Sequence, residues 1–179
     1  MAVHALVLPL LLFVTGPWTA PAQPTTPHAG GLDIVAALPN GTWAWPVTGP
    51  VIRGFDPPTS PFGAGHRGID IAVPAGTIIL APEAGTVSFA GRVGGELFVT
   101  LDHGGGLSST YSWLSSAAVR KGDAVARGEP IGTTGAGHPG AQVPHLHFGV
   151  RLDGAYQDPL WYLAPLGVQD LIRLVPLAA

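Results

Sequence analysis

From Trp43 onward, glycine and proline cut the chain into short apolar runs, and this spacing of turns restricts the fold more than any other feature. The runs TWAWPV, VIRGFD, GIDIAV, TIILAP, GTVSFAG, ELFVTLDH, LSSTYSWL, PIGTTG and HLHFGVRL are rich in β-branched and aromatic residues, with turn formers between them. A helix needs about ten residues or more with apolar positions three and four apart. Only VQDLIRLV, near the end, has that spacing. The sequence therefore predicts an all-β fold of antiparallel strands with little helix. The 26 Gly and 19 Pro among 179 residues would also suit a disordered chain, but 46% hydrophobic and 11% charged residues argue for a buried core.

The ends have a different texture. MAVHALVLPLLLFVTGPWTAPAQP carries an apolar run from Ala5 to Val14, shorter than the ~20 residues that span a bilayer. Ala20-Pro21-Ala22 has the small-x-small shape of a leader cleavage site, although no Lys or Arg precedes Arg53. Residues 1–22 are expected to be a secretory signal, leaving a secreted, extracytoplasmic chain with no stable membrane span. An uncleaved membrane-associated segment is the alternative. Residues 23–42 read as a Pro-rich linker in which His28 is solvated, 43–162 as the folded domain, and 163–179 as a tail with one short helix or strand. A net charge of -3 without a basic stripe excludes a nucleic-acid partner. With no cysteine, disulfides and thiolate metal sites are excluded, so any metal must be held by histidine and carboxylate.

PHLHFGV, residues 144–150, places two histidines one residue apart. On a strand, His145, His147, Gly149 and Arg151 face one way, while Leu146, Phe148, Val150 and Leu152 form an apolar face on the other. Two imidazoles separated by about 7 Å along a strand can converge on one site. Pro144 suits the entry to that strand. Upstream, GHRGIDIAVPAGT at 65–77 alternates in the same way, burying Ile69, Ile71 and Val73 and turning Asp70 to the opposite face. His66 stands four residues before Asp70, across Gly68, whose missing side chain lets the chain bend and bring the imidazole to the carboxylate. A carboxylate in an apolar strand calls for a partner, because a buried unpaired charge is costly. Two histidines and one carboxylate are the ligand set of a catalytic zinc that keeps an open position for water, and a further histidine is then free for proton transfer.

H-x-G-x-D at 66–70, AGTIILAPEAGTVSFAG, LDHGGG, TYSWL, VRKGDAVARGEPIG and PHLHFGV stand in one order. Over residues 43–162 the chain resembles the lysostaphin/LytM-type zinc metallopeptidases, which hydrolyse peptide bonds of bacterial peptidoglycan. The resemblance implies a barrel-sandwich-hybrid-like fold and one Zn2+ per chain held by His66, Asp70 and His147, with His145 catalytic. It further implies peptidoglycan peptides as substrate and a cell-wall location.

At one place the pattern breaks. The family motif Tyr-x-His-Leu, which carries a second catalytic imidazole, here reads Tyr111-Ser112-Trp113-Leu114. An indole offers a single N–H and accepts no proton. Losing one acid-base or oxyanion group costs roughly 10²–10⁴-fold in rate. His103 in LDHGGG is expected to pack in a turn, His138 to be an exposed loop residue unless its loop reaches the cleft, and Tyr111 to pack as a strand aromatic. Three functions compete. The leading one is a secreted zinc endopeptidase. A catalytically weakened module that binds the wall or regulates a cell-wall hydrolase is favoured by Trp113. A biotinyl or lipoyl carrier would need a modified lysine at a hairpin tip, and the sole Lys121 lacks the flanking methionines. The bond cleaved and the oligomeric state are not encoded in any motif.

Overall fold

The computed structural model describes residues 41–60 and 63–166. The expected leader, most of the 23–42 linker with His28, and the tail beyond 166 with VQDLIRLV lie outside the described residues. Within them, ten strands form: β1 (Val51–Arg53), β2 (Ile69–Ala72), β3 (Ile78–Leu80), β4 (Gly85–Val93), β5 (Glu96–Gly104), β6 (Leu107–Ala117), β7 (Ala124–Val125), β8 (Pro130–Thr134), β9 (His145–Leu152) and β10 (Ala155–Gln157). A single 3-10 turn at Pro159–Trp161 is the one helical element among the described residues. The expected all-β, nearly helix-free fold is what the chain adopts.

The strands join in the order β1-β2-β9-β6-β5-β4-β7; β10 extends from β9, and β8 links β3 to β6. Every strand pair is antiparallel. Local chemistry explains the hairpins. Gly94 and Gly95, with φ of 61° and 94°, join β4 to β5, and Asp153-Gly154, at 50° and 80°, join β9 to β10. Two consecutive left-handed residues make the tight turn whose twist matches the strands it connects, and Gly-Gly and Asp-Gly are favoured there. Near the ends of the domain, Trp43 bridges Leu163, and the Trp45 indole N–H donates to the Ala164 carbonyl at 2.8 Å.

The core gathers the inward face of each strand. Ile69, Ile71, Val99, Leu101, Tyr111, Ile131, Leu146, Phe148 and Val150 are fully buried. Each large aliphatic or aromatic side chain so buried is worth about 1.5–3 kcal/mol, so the central strands β2, β9 and β6 are held firmly. The predicted alternation holds along β2 and along β9 as far as Val150. It fails at Leu152, which is 39% exposed where β9 turns into the β10 hairpin.

Candidate metal centre

Register brings the site together. In the β2–β9 ladder Asp70 stands directly opposite His147, and Ala72 opposite His145. Directly opposed residues of an antiparallel pair project to the same face, so the carboxylate and the imidazole meet above the sheet while Ile69, Ile71, Leu146 and Phe148 fill the core below. His66 precedes β2 and reaches Asp70 across Gly68, where the chain presses onto β9. A Cβ at Gly68 would lie 2.3 Å from the Phe148 carbonyl oxygen and 2.9 Å from His147 Nε2. No other residue type fits there without moving one of the two segments.

Asp70 is the hub of four imidazoles. Its Oδ1 lies 2.8 Å from His147 Nδ1, 3.0 Å from His66 Nε2 and 3.8 Å from His145 Nε2, and its Oδ2 lies 3.9 Å from His138 Nε2. His66 Nε2 and His147 Nδ1 are themselves 3.0 Å apart. Burial opposes the carboxylate charge, but hydrogen bonds and attraction from His147 and His66 outweigh it and hold Asp70 well below the ordinary carboxylate range. Burial likewise dominates at His147 and keeps its imidazole below the usual value, against the pull of Asp70.

Proton accounting points to a cation. His66 Nδ1 sits 2.6 Å from the Gly54 carbonyl oxygen and must donate to it. In the neutral ring, Nε2 then carries a lone pair, and that lone pair faces both Asp70 Oδ1 and His147 Nδ1. A lone pair aimed at an ionised carboxylate is repulsive, so positive charge must sit between them, either a proton on Nε2 that donates to Asp70 or a metal ion in its place. A ring whose second nitrogen donates to a backbone carbonyl is the usual outer support of a metal-bound histidine. His66, Asp70 and His147 offer three ligand atoms within 4.8 Å of one another. Two imidazoles and a carboxylate form a zinc-type donor set with room for water.

Asp70, His138 and His145 form a second such group. His145 is 1% exposed, its Nδ1 donates to the Val143 carbonyl at 2.9 Å, and its Nε2 has no hydrogen-bond partner among the described residues. A buried imidazole with one nitrogen fixed and the other bare is poised to accept a proton. Gly137 presses on this ring, since a Cβ there would stand 2.4 Å from His145 Cε1. The loop between β8 and β9 also carries His138 into the site, where its ring centre lies 4.8 Å from that of His145. The expectation of an exposed loop residue thus gives way to the cleft alternative. Nothing in GAGHPGAQV marks this, because loops have no periodicity from which to read direction.

Trp113 is also displaced from the regular ladder. Phe98 pairs with Ser112 and Leu97 with Leu114, so Trp113 is the extra residue of a bulge in β6. Its φ of 58° is left-handed, a conformation that costs a side-chain-bearing residue roughly 1–2 kcal/mol. Bulges re-aim side chains beside functional sites, and this one lays the indole against His147, ring centres 5.3 Å apart, and against His138 at 5.7 Å. His103 goes elsewhere. It packs on Trp43 at 4.6 Å and hydrogen-bonds the Ala84 carbonyl and Ser109 Oγ. Tyr111 is wholly buried against Phe148 and hydrogen-bonds Ser109, and burial pushes its phenol far up.

Comparison with known proteins places these features in context. The model of a family described as Peptidase family M23 matches residues 64–159. Murein hydrolase activator NlpD of Salmonella typhimurium is 35% identical over 153 residues, covering 84% of this chain and 38% of that protein. A zinc containing peptidase from Vibrio cholerae superposes with a TM-score of 0.58 and 26% identity, covering 66% of this chain and 39% of that one. The catalytic domain of the antimicrobial peptidase lysostaphin from Staphylococcus simulans gives a TM-score of 0.52 and 29% identity, covering 60% of this chain and 86% of that one. The chain spans 32% to 55% of the length of curated relatives it matches.

Proposed function

The chain belongs to peptidase family M23, and from that premise we propose that it is a zinc-dependent endopeptidase acting on the peptides of bacterial peptidoglycan outside the cytoplasm. The observation that carries the reading is the pairing of a complete donor set, His66, Asp70 and His147, with the bare, buried Nε2 of His145 beside it. Zinc, when bound, would supply a Lewis acid that polarises a carbonyl and makes water nucleophilic near neutral pH. The chain's own residues would do the rest. His66 is oriented by the Gly54 carbonyl and Asp70 by its two imidazoles, so the ligand atoms are fixed in advance. His145 Nε2 takes the proton from the attacking water, because Nδ1–H is committed to Val143, and returns it to the leaving amine. Trp113 screens His147 from solvent and moves no proton. His138 Nε2 lies 3.9 Å from Asp70 Oδ2 and its ring 4.8 Å from that of His145, so it adds an imidazole to the cleft without taking the place that position 113 leaves empty of one.

Names of relatives support the class of target. One is a murein hydrolase activator and another a peptidase. The activator name and Trp113 favour a second reading, in which the domain binds wall peptides or a cell-wall hydrolase and cuts slowly or not at all. Digestion of purified peptidoglycan by the full chain separates the two. Zinc-loaded protein should release peptides identifiable by mass spectrometry, a chelator should stop the release, and His145→Ala should abolish it with zinc retained. Wall binding and stimulation of a separate hydrolase, without released peptides, would select the second reading.

A further inference from the structure

Two adjoining hollows of about 260 and 270 Å³ share Arg67, Trp113 and His147 and together make one groove across the centre. Their charges are one-sided. Arg53 lines the first hollow, Arg67 lines both, and Arg151 lines the second, while among the described residues no Asp or Glu lines either. The whole chain has only 8 Lys and Arg against 11 Asp and Glu. Three of its eight cations thus gather on this groove in a protein of net negative charge. Among the described residues, neither Arg53 nor Arg151 is in a salt bridge, whereas Arg127 is paired with Glu83. Both are solvent-exposed. Arg151 is nonetheless ordered, its guanidinium stacked 4.2 Å from the centre of the Tyr156 ring and donating to the Tyr156 hydroxyl. Arg67 approaches the same ring at 5.7 Å. Stacking fixes the plane of a guanidinium while leaving its edge open, and a planar fork of N–H donors matches a carboxylate.

We propose that this groove selects peptides carrying a carboxylate, which Arg53, Arg67 and Arg151 recognise on either side of the metal centre. The proposal takes from the peptidase reading only that the ligand is a peptide. The carboxylate belongs either to a free C-terminus or to an acidic side chain, and the groove reads the same chemistry in both.

The test is calorimetric binding of three peptides of equal length to the full chain at low salt. One is neutral and capped at both ends, one has a free C-terminal carboxylate, and one has a glutamate side chain and an amidated end. At least one carboxylate peptide should bind about tenfold more tightly than the neutral one, on the scale of a charge-assisted bidentate contact, and the stronger of the two names the source. That advantage should shrink to within about twofold in Arg53→Gln/Arg151→Gln and weaken in ~0.3 M salt, where exposed charges are screened. Both positions are exposed, so the folded state is retained, as a circular dichroism spectrum would verify. Equal binding of neutral and anionic peptides, or an advantage untouched by the double substitution, overturns the proposal. Because binding is read rather than hydrolysis, the two failures differ. A carboxylate preference without wall digestion sinks the peptidase reading alone, and digestion without the preference sinks this inference alone.

Discussion

Replacing Gly68 by alanine adds one carbon at the point where the His66–Asp70 segment crosses β9. That carbon would stand 2.3 Å from the Phe148 carbonyl oxygen, 2.9 Å from the Phe148 carbonyl carbon and 2.9 Å from His147 Nε2. Non-bonded carbon contacts are most favourable near ~3.5–4.0 Å, so the two segments must separate by roughly 1 Å. The obstacle is backbone, and β9 is paired on both sides, with β2 and β6, so it cannot yield by rotating a side chain. Overpacking of this kind costs about 1–3 kcal/mol. Separation also pulls His147 away from its opposite number Asp70, splitting the donor set along its ladder. Disturbing the support of a metal ligand lowers affinity by about 10–100-fold. Zinc affinity would be measured by competition with a chromophoric chelator, on protein verified as folded by circular dichroism, alongside thermal unfolding with and without zinc. A folded Gly68→Ala that keeps wild-type zinc affinity would refute the placement of His147 and Asp70 in one site.

Gly137→Ala forces a left-handed residue (φ 94°) and a clash with His145 Cε1, so it should abolish wall digestion while leaving zinc affinity within about twofold, the opposite pattern to Gly68→Ala. Trp113→His puts an imidazole back at the bulge and should raise peptide release by at least ~10-fold, given the 10²–10⁴ scale of one acid-base group; an unchanged rate would show that position 113 does not reach the reacting atoms. The zinc-free chain should lose stability on acidification. Both Asp70 and His147 have folded pKa values below their unfolded ones, so each contributes fully above its unfolded value and loses that contribution as pH falls through the folded one, His147 first below about 6.5 and Asp70 at the acid extreme. A calorimetric Tm that rises between pH 7 and pH 4 would contradict this. Bound zinc should raise Tm with the logarithm of the ligand excess, adding about 2.7 kcal/mol of stability at 100 times Kd.

The sheet was readable because turn chemistry and alternation are local. Asp-Gly and Gly-Gly mark hairpins by themselves, and HLHFGVRL and IDIAV show their buried faces without reference to any partner. Alternation also made it legible that Asp70 and the H-x-H pair could share one face, whereas the choice of His147 over His145 as the ligand came from the family resemblance, and only the β2–β9 register sets His147 opposite Asp70. What stayed hidden depends on other segments. Trp113 points at the site because β6 holds one residue more than β5 across that stretch, a count that only the ladder reveals. His138 arrives on a loop whose course is set by packing against His145 and Trp113 rather than by its own residues. Arg53, Arg67 and Arg151 come from three separate stretches, and only the β1–β2–β9 order makes them neighbours of one groove. Leu152 was expected on the apolar face and is 39% exposed, at the end of β9 where it turns into the β10 hairpin.

X-ray absorption at the zinc edge, recorded on the chain loaded with one equivalent of metal, bears most directly on the assignment of ligands. The site as described gives two imidazoles and one carboxylate at about 2.0–2.2 Å with water completing the shell. That spectrum should persist in His145→Ala and His138→Ala and be lost in His147→Ala. A shell of three or more imidazoles, or one that survives His147→Ala and changes in His145→Ala, would place the metal in the Asp70–His138–His145 group instead and contradict the account.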